Sequence, residues 1–288
     1  MGRYKNNVRS RVKWLLFLFL FFFFLSRIFY FKEEFLEKKS DTVIPSVILE
    51  YDDVSSVVLS QYSVEERLHE LLEQDERIST VLRHQNDYPE DLVTMLSRDI
   101  DLLPFVLDFP SKKGETYSET IGNFTNQSFP LLLQWDKRWG YGIYGDTYLA
   151  INGCAPTALS MVIAGLTGRD DITPYTIATY AYQQGFYVKG VGTSWSLMTD
   201  GASYFGIHGK EIPLTKTAIF LALERGHPVI CSVRKGDFTT TGHFIVLVGV
   251  VDGKIQVHDP NSLKRSSLLW EYERIESQIR NLWEFSVE

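Results

Sequence analysis

The sequence predicts an α+β domain, helices first and an antiparallel sheet after them, carried behind a helical spacer and a single membrane-spanning helix. Three observations predict it. Residues 12–31 contain an almost unbroken apolar run, residues 156–226 contain helices punctuated by proline and glycine, and residues 228–259 contain short apolar and alternating runs around a hairpin signal.

The N-terminal run supports a transmembrane signal anchor over 12–31 behind a basic tail over 1–11. From Trp14 to Phe31 only Ser26 and Arg27 are polar, a length of about 27 Å as helix and enough to span a bilayer. Arg3, Lys5, Arg9, Arg11 and Lys13 precede the run and Glu33 and Glu34 follow it. That asymmetry places the tail in the cytoplasm and the rest outside, as a single-pass protein of the cell membrane. A cleaved signal peptide is the competing reading, but Ser26-Arg27-Ile28-Phe29-Tyr30-Phe31 offers no small-x-small cleavage site. With two cysteines and no disulfide framework, an exported chain fits a bacterial surface. Asn123-Phe124-Thr125 and Asn126-Gln127-Ser128 are glycosylation acceptors only in a eukaryotic lumen.

The 288 residues are 44% hydrophobic, 14% aromatic and 23% charged, which excludes wholesale disorder and a single small domain. The net charge is −7 although the first 31 residues carry six basic and no acidic side chains, so the body after them is strongly acidic. Such a body lacks the electrostatic footprint of a nucleic-acid partner.

Residues 32–126 read as helical spacer and linker. Ser63-Val64-Glu65-Glu66 is a capping box, followed by Leu68, Leu71, Leu72 and Ile78 to Leu82 near helical spacing. A second helix is expected from Pro89 through Leu92, Val93 and Leu96, and the Pro-, Ser-, Gly- and Asn-rich stretch from Phe109 to Ser128 reads as linker. The globular domain is then 127–288. In it Pro156 opens an apolar helix stopped by Gly168, Thr173-Pro174 opens a second ending at Gly185, a third runs from Trp195 to Phe205, and a fourth from Thr215 to Gly226. Strands follow at 228–233 and 244–251. Asp252-Gly253 is a hairpin turn, and Ile255, Val257 and Asp259 alternate with Lys254, Gln256 and His258, the latter on a wet face.

Cys154 stands at the start of the first domain helix, where the positive end of the dipole favours an anionic sulfur and suits a nucleophile. The bland alternatives are a small buried hydrophobe, which fits Cys231 inside an apolar strand, or a Cys154–Cys231 disulfide. A nucleophilic thiol needs a base that later protonates the leaving group. His69 and His84 lie in the charged spacer, His208 and His227 in loops, and His258 on the wet side of its strand. His243 differs, standing at the entry of the most hydrophobic strand, with a satisfied core histidine as the alternative. Asp259, ending the partner strand, is placed to orient it, with a turn residue before Pro260 as the alternative. Register is the obstacle: a plain two-residue turn at 252–253 pairs Asp259 with Val246 and puts His243 on the opposite face. An irregularity is therefore predicted, either a three-residue loop or a bulge such as one at Gly249. Gly190-Val191-Gly192-Thr193-Ser194-Trp195 is the turn before a helix and a candidate groove wall, not a phosphate loop.

Gln134-Trp135-Asp136-Lys137-Arg138-Trp139-Gly140, Tyr144-Gly145, Asn152-Gly153-Cys154-Ala155-Pro156-Thr157, Gly242-His243-Phe244 and Asp259-Pro260-Asn261 together resemble a papain-like family of bacterial cysteine peptidases, number thirty-nine, which includes the leader peptidases of bacteriocin exporters. The resemblance covers about 127–288. It implies a papain-like fold with Cys154 as nucleophile, His243 as base and acid, and Asp259 as orienter. It departs from the family at Ala155, where glycine is usual, and at Tyr148, where papain-type enzymes carry an oxyanion-binding glutamine. Gln134 is the first candidate for that donor, with a strand-end glutamine packed beside Trp135 and Trp139 as the alternative. The expected activity is cleavage of peptide or related amide bonds through an acyl-enzyme, without a cofactor or metal. Acyl transfer to another amine uses the same residues, and an inactive surface module binding peptide or cell-wall ligands shares the fold. Leader processing is not carried over, since the chain has one hydrophobic span.

Overall fold

The structure is a computed structural model; it describes residues 50–125 and 128–287. The basic tail and the predicted membrane span lie outside the described residues. Among the described residues, no helix is long and apolar enough to cross a membrane.

The capping box forms as read. Ser63 Oγ accepts from Glu66 N at 3.1 Å and Glu66 Oε2 accepts from Ser63 N at 2.8 Å, starting the helix Val64–Gln74. Two short helices precede it, α1 (Tyr51–Val54) and α2 (Ser56–Leu59), which makes it α3; α4 (Ile78–Arg83) and α5 (Glu90–Arg98) follow. The predicted linker begins too early, because α6 (Leu103–Lys112) runs through Phe109 and Pro110. Proline is tolerated at both ends of α6: Pro104 sits in the first turn, and the helix stops two residues after Pro110. These helices do not stand apart. Leu68, Leu92, Leu96, Phe105 and Phe109 share a core with Trp135, Tyr141 and Ala150 of the domain, and Phe105 stacks on Tyr141 with centroids 4.2 Å apart.

A small ribbon, β1 (Ile143–Tyr144) and β2 (Thr147–Tyr148), leads through α7 (Leu149–Asn152) into α8 (Cys154–Thr167). Helix α8 is buried along nearly its whole length and ends at Gly168 with φ 73°, a left-handed cap that glycine adopts without strain. Helix α9 (Pro174–Gln183) is capped by the Thr173 hydroxyl, which accepts from Thr176 N at 3.1 Å. The hairpin β3 (Tyr187–Val188) and β4 (Gly192–Thr193) follows. The third predicted helix is split, a 3-10 turn at Trp195–Met198 and then α10 (Asp200–Tyr204), with the break at Thr199. After β5 (His208–Glu211), α11 (Lys216–Glu224) matches the fourth.

The sheet has the order β5-β10-β6-β7-β8-β9 and is antiparallel throughout, with β6 (Val229–Arg234), β7 (Gly242–Val251), β8 (Lys254–His258), β9 (Leu269–Trp270) and β10 (Ile279–Ser286). Along β7 the period of two divides the core. Phe244 and Val246 pack with α8 and α9, while Ile245 and Leu247 pack with α11. The fold class is therefore the mixed helical and antiparallel one that the sequence predicts.

The hairpin joining β7 and β8 decides the site. Asp252 (φ 51°) and Gly253 (φ 76°) form a two-residue left-handed turn, the type whose twist suits a tight hairpin. Val251 pairs with Lys254 and Gly249 with Gln256, but Leu247 pairs with Val257 and Val246 with His258. Val248 is the extra residue, so the predicted irregularity lies one position before Gly249. Continued past Val246, this register sets Asp259 opposite Ile245, on the His243 face.

Candidate active site

Cys154 occupies the first turn of α8, preceded by a tight passage. Gly153 N donates to Leu149 O at 2.8 Å, and a Cβ on Gly153 would lie 2.3 Å from that same carbonyl. Gly153→Ala is thus expected to shift Cys154 and destabilise the fold by about 1–3 kcal/mol, the usual range for overpacking. A thermal melt alongside Cys154 alkylation kinetics would measure both effects.

Cys154 is partly exposed, whereas Cys231 is fully buried, and both are free thiols. Burial pushes the Cys231 thiol upward. The disulfide alternative is not adopted.

His243 opens β7 and is buried. Its Nε2 lies 2.7 Å from Asp259 Oδ1, and the Cys154 side chain is near enough to favour the charged ring. Burial works against a charged ring, but the Asp259 carboxylate, helped by the Cys154 contact, outweighs it and raises His243 to about 9. Asp259 is fully buried. Burial raises a carboxyl, but here Arg265 first and His243 second overcome it and hold Asp259 at about 2. Its Oδ1 also accepts from Asn261 N at 2.7 Å, and its Oδ2 accepts from Arg265 Nε at 2.5 Å.

The structure thus brings Cys154, His243 and Asp259 together. Gln134 lies beside them, buried, with its backbone N donating to Pro260 O at 2.7 Å. Its amide nitrogen donates to Ala150 O at 2.7 Å and Ile151 O at 3.2 Å, while Oε1 has no partner. In this arrangement the Gln134 amide braces α7, the turn leading to Cys154, and both of its N–H groups are engaged.

Two readings of the polar residues change. His258 is buried, not on a wet face, and burial pushes it down to about 4 although the Pro130 carbonyl accepts from it. Arg265, on α12 (Leu263–Ser267), is a site residue that the sequence reading passed over. The available signal was a basic residue six positions after the candidate carboxylate, but it lies in Ser262-Leu263-Lys264-Arg265-Ser266-Ser267, which has the composition of a solvated turn.

The segment 190–195, expected as a groove wall, meets the ribbon that precedes Cys154. Thr193 on β4 hydrogen-bonds the Tyr144 hydroxyl at 2.7 Å. Burial, with a smaller influence from nearby Cys154, raises the Tyr144 phenol. Trp195 is half-exposed and meets Trp283 edge-on at 5.8 Å.

Residues 126–286 match the Peptidase_C39 like family. Among solved structures, the peptidase domain of Streptococcus ComA, a bi-functional ABC transporter involved in a quorum sensing pathway, is 18% identical. The match covers 48% of this chain and 93% of that one, with a TM-score of 0.37. A putative C39-like peptidase from Bacillus anthracis is 14% identical over 56% of this chain and 96% of that one, with a TM-score of 0.38. No curated protein matches the chain.

Proposed function

The chain belongs to the Peptidase_C39 like family, and from that premise we propose that it is an active cysteine peptidase, cleaving peptide or related amide bonds outside the membrane to which residues 12–31 anchor it. One observation carries the catalytic part: the buried imidazole of His243 is bonded to the fully buried Asp259 carboxylate at 2.7 Å, and the helix-start thiol of Cys154 is near enough to favour its charged form.

In the proposed reaction Cys154 has given its proton to His243 before substrate arrives, in keeping with the raised imidazole, and its Sγ attacks the substrate carbonyl carbon. The C–N bond then breaks, the leaving amine takes the proton back from the imidazolium, and an acyl-enzyme remains. Water, deprotonated by the same ring, hydrolyses the thioester and restores the thiol. Asp259 stabilises the imidazolium without accepting its proton, consistent with a carboxyl held near 2. For the oxyanion we propose the Cys154 backbone N–H, since a first-turn amide has no intrahelical acceptor. The Gln134 amide joins it by exchanging its longer contact, 3.2 Å to Ile151 O, for the substrate oxygen.

The anchoring part rests on the apolar run and on the five basic residues that precede it. A mixed pool of internally quenched peptides tests the activity. Cleavage of some members is expected, and no cleavage together with saturable peptide binding would establish the inactive binding module instead. Protease shaving of intact cells tests the orientation: digestion of residues 50–288 without lysis is expected, and digestion only after lysis would overturn export.

A further inference from the structure

We propose that Arg265 is a positioning residue for the His243–Asp259 pair, and that a strap of residues 51–56, outside the family match, completes the active site by holding Arg265 in place. The inference rests on the peptidase reading and goes beyond it, since it makes the segment between the predicted membrane span and the peptidase domain part of the catalytic apparatus.

A fully buried carboxylate stays ionised only if its neighbours compensate the charge. During turnover the His243 ring alternates between charged and neutral. While it is neutral, the one cation bonded to Asp259 among the described residues is Arg265, through Nε to Oδ2 at 2.5 Å. Arg265 therefore prevents Asp259 from drawing the ring proton onto itself. By occupying Oδ2 it also fixes the carboxylate plane, so that Oδ1 faces His243 Nε2.

Arg265 is itself buried and held on three sides. Its backbone N donates to Ser262 Oγ at 3.2 Å, and its backbone O accepts from Trp270 Nε1 at 3.0 Å. Its Nη1 points into the strap, 3.3 Å from Val54 O and 3.4 Å from Ser56 Oγ. The strap also reaches Arg265 indirectly, because Tyr51 stacks on Trp270 with centroids 4.9 Å apart and donates to Leu269 O at 2.7 Å. It is pinned by the buried Val54 side chain and by Ser56 N donating to Asp237 O at 2.7 Å. Asp237 in turn is gripped by Arg274, which also contacts Asp52 at 3.3 Å.

The test uses the full chain with two readouts: the downfield proton resonance of the His243 Nε2–H to Asp259 bond, and kcat against KM for the fastest-cut member of the quenched pool. Arg265→Met is expected to lose the resonance and to lower kcat by about a hundredfold, the scale of a misplaced catalytic group, with KM held. Arg265→Lys keeps the charge but not the fork and should recover part of both. Wild-type values in folded Arg265→Met overturn the proposal. If that variant does not fold, Arg265→Lys decides, and wild-type values in both readouts overturn it. The double variant Tyr51→Ala/Val54→Ala, which touches neither catalytic group, should move both readouts in the same direction, and unchanged values overturn the role of the strap. A wild-type chain that cuts no peptide refutes the peptidase reading, while the resonance still reports on Arg265 by itself.

Discussion

Cys154→Ala is expected to reduce amide cleavage by at least about a thousandfold, the scale on which loss of a positioned nucleophile operates, while the thermal midpoint stays close to wild type. The side chain is partly exposed and packs only at the edge of the core formed by α8 and α9, so removing its sulfur opens no large cavity. Cys231→Ala is the opposite case. It removes a fully buried atom from the other core and should lower stability while leaving labelling by a peptidyl thiol electrophile intact. Labelling that vanished in Cys231→Ala and persisted in Cys154→Ala would overturn the nucleophile assignment.

Asp259→Ala carries the second large effect, and it acts on stability as well as turnover. The substitution leaves the Arg265 guanidinium buried without its carboxylate, and removing one partner of a buried pair costs about 3–5 kcal/mol. It also changes the sign of a pH dependence. In the wild type His243 is raised from 6.5 to about 9. Its contribution is therefore fully present below pH 6.5 and is lost as pH rises through 9. Asp259 is lowered from 3.8 to about 2, so its contribution is present above pH 3.8 and is lost as pH falls through 2. Without the carboxylate, burial becomes the main influence on the ring and favours its neutral form. The variant should therefore lose stability as pH drops through 6.5, where the wild type does not. Denaturant midpoints from pH 5 to pH 9 would show this inversion, and parallel curves for the two proteins would contradict the proposed coupling.

Much of this site was legible in the sequence because its decisive signals are local. A capping box, a left-handed glycine at the end of α8, an Asp-Gly turn and a cysteine at a helix start each act within a few residues. That some irregularity must lie between His243 and Asp259 followed from local counting, since a two-residue turn alone sets them on opposite faces; its form, a bulge at Val248 and not a longer loop, did not. What escaped was decided at a distance. Strand β10 carries Arg280, Asn281 and Glu284 among its apolar residues, and only the flanking β5 and β6 make it an interior strand. Its neighbour β5 has the sequence His-Gly-Lys-Glu, with nothing apolar to announce a strand. His258 was assigned to water because its strand alternates, but its side chain is buried. Arg265 looked like part of a polar turn, and its burial depends on residues more than two hundred positions earlier.

The single out-of-step residue at Val248 also bears on how this ribbon tolerates change in length. His243 and Asp259 are an even number of positions apart, and a tight hairpin brings two such residues to one side only if one strand holds a surplus residue. With an odd interval, no surplus is needed. Deleting Val248 would remove the surplus and make the interval odd in the same stroke, leaving the imidazole and the carboxylate still facing each other. A one-residue change of length between the two is therefore compatible with the pair in this ribbon whenever the kink appears or disappears with it, so the matching of odd and even counts, more than a fixed distance along the chain, keeps the acid beside the imidazole.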